Sequence, residues 1–360
     1  MPPSLASQAL TFSQKLIQWY HRHHRDLPWR RTTDPYKIWL SEIILQQTRV
    51  VQGMPYYLRF VEKYPTVQDL ARAEEQEVLR LWQGLGYYSR ARNMHHTARL
   101  VVGEFDGNFP NNYAALLKLK GVGEYTAAAI ASFAFNEAVP AVDGNVYRVL
   151  SRIFGIKTDI THSSAKREFT AAARQLIPDN DPANFNQAMI EFGAIQCQPV
   201  APDCLLCPFN EMCYAFEHGA QNLLPVKSKK MKARNRYLNY LVLEKEGRLA
   251  MKERIKKDVW KGLYDFPLIE TPQEAKIPND LIEANPLVSW IKVGQLTVPQ
   301  KTYVHLLTHQ KLHVKFWQIE LKNAEMSTLP EGVSFYSEAQ IESLPKPILI
   351  DTFIKEQFFT

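Results

Sequence analysis

Apolar positions follow a helical spacing through the N-terminal part of the chain and an alternating one through the C-terminal part. Phe12 to Arg25 places Leu16, Ile17 and Tyr20 on one face and ends basic, predicting an amphipathic helix stopped by Leu27-Pro28. Tyr36 to Val50 reads as one apolar helix with a single acid, Glu42, inside it. Tyr113 to Leu119 reads as a short helix capped by Asn111 or Asn112. Thr126 to Phe135 reads as a buried helix of small and apolar residues, and Val146 to Phe154 as a further helix. Beyond residue 235 the period shortens: Tyr237–Glu244, Arg248–Lys252 and Leu312–Glu320 predict strands. A helical domain over 1–220, a basic linker over 221–234 and a mixed α and β domain over 235–360 follow from this change of period.

Composition narrows the class without naming a function. With 360 residues and 46% apolar content, the chain has length for two globular domains. Its formal net charge of +6 suits a polyanionic partner. No window resembles a signal peptide or a membrane span, so a cytoplasmic protein without membrane partners is expected. Four cysteines in such a compartment are not expected to form disulfides.

Several stretches carry candidate chemistry. Between two predicted helices, Gly121-Val122-Gly123 makes a tight turn that can bring backbone N–H groups to an anion at a helix start. Glu42 has Ile38, Trp39 and Leu40 before it and Ile43, Ile44 and Leu45 after it. Such an acid is either desolvated, with the raised pKa a general acid needs, or lies on a solvent face and pairs with Gln46 or Arg49. Asp143, before Gly144, reads as an acid held ionised by a helix start or as an ordinary helix cap, the far commoner role for such a residue. Taken together, the two carboxylates have surroundings that separate their pKa values, which suits cleavage of a glycosidic bond.

All four cysteines fall in one proline-rich segment, with the spacing C-x6-C-x2-C-x5-C through Cys197, Cys204, Cys207 and Cys213. Four thiolates so placed indicate a metal centre, either zinc or an iron–sulfur cluster. Gly84 and Gly86, followed by Tyr87, Tyr88, Arg90 and Arg92, form a second turn with aromatics beside arginines. That combination suits either base stacking or simple packing. His21, His23 and His24 read as a solvated basic face, since no second cluster completes a metal site. Lys227, Lys229, Lys230, Lys232, Arg234 and Arg236 read as an exposed basic tether able to follow a phosphate backbone.

The ordered set WLSEIILQQTRV (39–50), WQGLGYYSRARN (82–93), LKGVGEYTA (119–127), VDGNVYRVLSR (142–152) and FNQAMIEFGA (185–194), closed by the cysteine loop 197–213, resembles the helix-hairpin-helix DNA glycosylases related to endonuclease III. More closely, the chain resembles the adenine-excising branch of that superfamily. The C-terminal part is similar to that branch's 8-oxoguanine-reading domain, a relative of Nudix hydrolases. The resemblance implies a multidomain fold: an all-α helix-hairpin-helix glycosylase domain with a [4Fe–4S] cluster loop, then an α+β Nudix-like domain. It implies a monomeric base excision repair enzyme acting on double-stranded DNA with 8-oxoguanine:adenine or G:A mispairs.

Roles follow by resemblance. Glu42 would protonate the departing adenine, and Asp143 would stabilise the oxocarbenium sugar, with Tyr125 and Asn145 in support. Gln47 and Tyr87 would enter the base stack, and Arg30 would contact DNA. Gly121, Val122 and Gly123 would present amides to a phosphate, with a monovalent or Ca2+ ion at the hairpin. Cys197, Cys204, Cys207 and Cys213 would hold the cluster and shape a basic DNA-contacting loop. Superfamily members with lyase chemistry carry lysine where this chain has Tyr125, and a phenol forms no imine, so a monofunctional glycosylase is expected. The family's Phe-Ser-His reader loop is Leu307-Thr308-His309 here, whose threonine hydroxyl donates and accepts as serine does. The glutamate-rich Nudix helix is absent, so the domain is expected to bind without hydrolysing.

Overall fold

The computed structural model describes residues 5–228, 233–282, 295–321 and 329–358. The chain divides into two compact units, Met1–Arg72 with Asn93–Lys229, and Ala73–Arg92 with Lys230–Thr360.

The first unit is helical. The amphipathic helix Leu5–His23 inserts Phe12, Leu16, Trp19 and Tyr20 into a core with Val146, Val149, Leu150, Phe169, Phe185 and Phe192. Helix Glu124–Phe135 is its central element, with every residue from Thr126 to Ser132 buried. The small side chains of Ala127, Ala128, Ala129 and Ala131 let helices Pro35–Leu45 and Pro182–Glu191 both pack on it. This placement brings Glu42 and the residues after Val139 to one end of the bundle.

The helix expected over 36–50 is two helices. Pro35–Leu45 is capped by Asp34, whose carboxylate accepts from Tyr36 N at 2.9 Å, and Val50–Lys63 follows. Between them Gln47 takes a left-handed φ of 54°, which ends the helical ladder. The break falls in the polar run Gln46-Gln47-Thr48-Arg49, between apolar Leu45 and Val50.

Among the described residues, the second unit is built on a mixed sheet of eight strands. Strand Arg234–Lys245 runs parallel to Gln310–Glu320, from Arg234 opposite Gln310 to Glu244 opposite Glu320. It pairs antiparallel with Arg248–Glu253 and Leu268–Thr271. Leu238 to Leu243 are all buried, so this strand is covered on both faces where alternation was expected. Helix Ile348–Gln357 lays Phe353 flat on Phe316, ring centroids 3.8 Å apart. Residues 73–92, expected within a continuous 1–220 domain, group with this unit. Arg80 donates to Glu342 O at 2.8 Å, and Gln83 accepts from Lys346 N at 3.1 Å.

The basic tether is only partly a tether. Lys229, Lys230 and Lys232 lie outside the described residues. Ser228 is pinned to Asp159, its N–H bonding the carboxylate at 2.9 Å. Arg234 and Arg236 start a strand, and Arg236 is committed to Asp258, Glu270 and Gln310. Those acids take the charge that had been assigned to phosphate.

Candidate active site

The hairpin turn sits between helices Tyr113–Leu116 and Glu124–Phe135. Asn112 caps the first, accepting from Ala115 N at 2.9 Å. Gly121 has φ +79°, and a Cβ there would lie 2.8 Å from that of Asn93, so both its backbone angle and its space require glycine. Val122 does not present its amide: its N–H donates to Leu119 O at 3.1 Å, and its side chain is buried. Gly123 opens the second helix with no side chain capping it, and Glu124 is drawn aside by Lys166 at 2.6 Å. The positive end of the helix is therefore left to an anion from outside.

One cavity of about 820 Å³ in this unit is lined by Glu42, Tyr125, Asp143 and Asn145, with Arg25, Arg30, Gln47, Arg148 and Gln187 among its other walls. The helix Pro35–Leu45 presents Glu42 and Ile38 to it while Leu40, Ile43 and Ile44 face the core. Burial pushes the Glu42 carboxyl up to about 7. A hydrogen bond from the Tyr125 hydroxyl opposes that rise, the Asp143 charge adds to it, and the Arg30 charge opposes it. Tyr125 is held well above its ordinary value, first by burial and then by the Glu42 and Asp143 charges, so it is a hydrogen-bond donor here. The desolvated reading of Glu42 is the one the fold adopts.

Asp143 is both a cap and a cavity acid. Its carboxylate accepts from Asn145 N and Val146 N, each at 2.9 Å, and from Asn145 Nδ2 at 2.7 Å. These bonds favour its charged form, yet burial outweighs them and its pKa lies above the ordinary aspartate value. The expectation that surroundings drive the two acids in opposite directions is thus corrected: both are raised by burial.

Sequence reading missed the residues that hold this loop. Buried Asn186 accepts from Ala141 N at 3.0 Å and donates to Val139 O and Ser132 Oγ at 2.9 Å, fixing the segment that leads to Asp143. Arg148 donates to Asn145 Oδ1 at 2.8 Å, Gly193 O at 2.6 Å and Cys197 O at 2.8 Å, joining the acid loop to the cysteine segment. A Cβ on Gly193 would fall 2.6 Å from that of Asn145, so glycine is what admits the close approach of the π-turn Phe192–Gln196. Glu191 is fully buried and pairs with Arg25 and Arg30 at 2.6 and 2.7 Å. Arg30, read as a DNA contact, is therefore anchored at the cavity wall. FNQAMIEFGA contained Asn186, Glu191 and Gly193, and its invasion of an apolar helix by an amide and an acid was the available signal.

Lys118 and Lys120 are exposed, and no lysine is among the residues lining this cavity. His21, His23 and His24 are exposed too, as expected of a solvated face.

The four cysteines form no disulfide with one another and line one pocket. Arg152, 2% exposed, places its guanidinium 3.5 Å from Cys197 Sγ and donates to the carbonyls of Gln198 and Pro199. Its own carbonyl accepts from Cys213 Sγ at 3.4 Å. As placed, no three Cys, His, Asp or Glu side chains among the described residues converge on a single-ion site. The loop between Cys197 and Cys204 reads Gln-Pro-Val-Ala-Pro-Asp. It holds no lysine or arginine, so the expectation of a basic loop is corrected by its own residues.

Residues 40–175 match the HhH-GPD superfamily of base excision DNA repair proteins, and residues 239–356 match the NUDIX domain. An adenine DNA glycosylase of Buchnera aphidicola (subsp. Baizongia pistaciae) is 33% identical over 94% of this chain and 95% of its own length. That of Arabidopsis thaliana is 35% identical over 85% of this chain and 57% of its own. The chain belongs to the adenine DNA glycosylase family. A thermostable thymine-DNA glycosylase of known structure is also similar, 30% identical with a TM-score of 0.54 over 59% of this chain and 98% of its own. A trapped endonuclease III–DNA intermediate, 24% identical with a TM-score of 0.52, shares the fold.

In this family member the second unit carries the remaining candidates. Gly84, Gly86 and Tyr87 all take left-handed φ angles, with Tyr87 at 46°, and Tyr87 is 46% exposed. A large exposed aromatic held in that backbone region is unusual. Its hydroxyl meets the Thr308 hydroxyl. Thr308 and His309 are exposed, and His309 O accepts from Arg234 N at 3.0 Å, which ties their loop to the central strand. Gln47, in the first unit, shares both features, exposure and a positive φ.

Proposed function

We propose that this chain hydrolyses the N-glycosidic bond of adenine mispaired with 8-oxoguanine or guanine in duplex DNA and leaves an abasic site. The observation that carries this is a half-buried Glu42, hydrogen-bonded by Tyr125 and raised to a pKa of about 7, sharing a cavity with Asp143. About half of such a carboxyl is protonated at neutral pH, where an ordinary one is protonated in roughly one molecule in 300.

Glu42 gives its proton to the flipped-out adenine, and the electron pair of the breaking C–N bond leaves with the base. The Asp143 carboxylate, fixed by Asn145 and the helix start, faces the positive charge that develops on the sugar. Water then adds to the sugar carbon and releases a proton. Tyr125 orients Glu42 and supplies no amine, so the reaction ends at the abasic site. Gln47 and Tyr87 each enter the base stack, and the uncapped helix at Gly123 grips a phosphate; the hairpin carbonyls would hold a cation. Thr308 and His309 read the partner base. Two features support a [4Fe–4S] cluster on Cys197, Cys204, Cys207 and Cys213: four thiols on one pocket and a buried cation beside them. Its contribution would be structural, holding the segment that Arg148 joins to Asn145.

The test compares duplexes carrying adenine opposite 8-oxoguanine, guanine or thymine with one carrying thymine glycol. Alkali-dependent breaks at adenine in the first two are expected. Breaks without alkali, or only at the oxidised pyrimidine, would replace this reading with a pyrimidine glycosylase and lyase.

A further inference from the structure

Glu191 is placed where a helix end meets the cavity wall, and every described contact of its carboxylate is with a cation or that cation's backbone. One oxygen accepts from Arg25 N and Arg25 Nε, both at 2.8 Å. The other accepts from Arg25 Nη2 at 2.6 Å and Arg30 Nη2 at 2.7 Å. Arg30 Nη1 donates to Arg25 O at 3.0 Å, so the second guanidinium is held at two points. Both arginines line the same cavity as Glu42. A fully buried acid so saturated is costly to place and does nothing for DNA directly.

We infer that Glu191 is a positioning residue for the proton donor: by binding Arg25 and Arg30 together it keeps the Arg30 guanidinium from pairing with the Glu42 carboxyl. The inference rests on Glu42 being that donor. The groups facing Glu42 are Tyr125 from helix Glu124–Phe135, Asp143 from the start of helix Gly144–Phe154, and Arg30 from the turn Pro28–Arg30. Of these Arg30 is the only cation, and its charge already favours the ionised form. The groups facing Glu191 are Arg25, Arg30 and Tyr20, and Arg148, a further cation lining the cavity, acts on Asp143. Glu191 offsets one of two positive charges. Although burial pushes its pKa up, the hydrogen bonds from Arg25 and Arg30 and the Arg30 charge bring it down to about 2, so that offset persists at every working pH.

Replacing Glu191 by glutamine leaves two uncompensated guanidinium groups on the wall and frees Arg30 to approach Glu42. The alkaline limb of the excision rate, where Glu42 loses its proton, then moves down.

The experiment measures single-turnover adenine excision by the full chain from pH 5 to 9. Glu191→Gln is expected to shift the alkaline limb down by about one unit, an approximately tenfold loss above the limb that closes at low pH. Glu191→Asp, which keeps the charge, restores part of the shift. Arg30→Gln leaves Glu191 its three Arg25 bonds and moves the limb up, and the double variant returns it toward wild type. A Glu191→Gln loss that is uniform with pH would assign Glu191 a merely structural role and overturn the inference. Should that variant not fold, an Arg30→Gln limb that stays in place overturns it equally. Absence of adenine release by the wild-type chain would instead defeat the proposed function.

Discussion

Exchanging Glu42 for glutamine removes the proton while keeping the shape, and the structure predicts two opposed consequences. Glutamine still accepts a hydrogen bond from Tyr125, so the cavity keeps its form. What it loses is general acid catalysis, worth about 10²- to 10⁴-fold in rate. Stability moves the other way. The folded-state pKa of about 7 lies above the ordinary 4.5, so the folded state binds a proton the unfolded chain has released. This penalty is absent below pH 4.5, grows as pH rises through 7, and is constant above that. Raising the carboxyl from 4.5 to about 7 corresponds to about 3 kcal/mol, and partial exposure of the residue to the cavity reduces it to about 1–3 kcal/mol. Glu42→Gln should therefore raise the melting temperature at pH 8 by about 2–4 °C per kcal/mol, with little change near pH 4.5. Single-turnover excision and thermal unfolding at the two pH values measure both effects, with DNA affinity as a control. Near wild-type excision would remove Glu42 from the chemistry, and a lower melting temperature at pH 8 would show that its carboxylate is stabilised where it sits.

Three further outcomes are expected. Gly121→Ala should destabilise the first unit by about 1–3 kcal/mol, because its φ is +79° and the new methyl meets Asn93; it should also weaken DNA binding without shifting the pH profile of excision. Thr308 and His309 replaced together by alanine should reduce the preference for 8-oxoguanine over guanine opposite adenine more than maximal excision, and an unchanged preference would place the reader loop elsewhere. The purified chain should be brown, with absorption near about 400 nm; removal of the iron should lower its melting temperature, whereas a colourless protein with one zinc would refute the cluster.

The acid and its partner were legible because each is signalled locally. Glu42 interrupts an apolar helix, and Asp143 precedes a glycine at a helix start. The hairpin was legible for the same reason, since Gly121 and Gly123 bracket a turn between two periodic segments. What stayed hidden depends on distant pairing. Arg25 and Glu191 are 166 positions apart, and Asn186 reaches back 45 to Ala141, so neither partner can be read from a spacing. Parallel pairing of Arg234–Lys245 with Gln310–Glu320 hides similarly, because a strand covered on both faces loses its alternation. The break at Gln47 lies in a polar run of four residues, a length that one solvent-facing helical turn would also explain. Its positive φ, like that of Tyr87, is a strain that sequence patterns do not announce.

The central claim is that Glu42 and Asp143 release adenine and leave the strand intact. It is tested by incubating the full chain with a duplex carrying adenine opposite 8-oxoguanine, then quantifying free adenine by mass spectrometry and strand integrity on a denaturing gel from one reaction. The account predicts one adenine per duplex with unbroken strands until alkali is added, and no adenine from Glu42→Gln or Asp143→Asn at the same times. Strand cleavage accompanying base release, or adenine release that survives both substitutions, would contradict it.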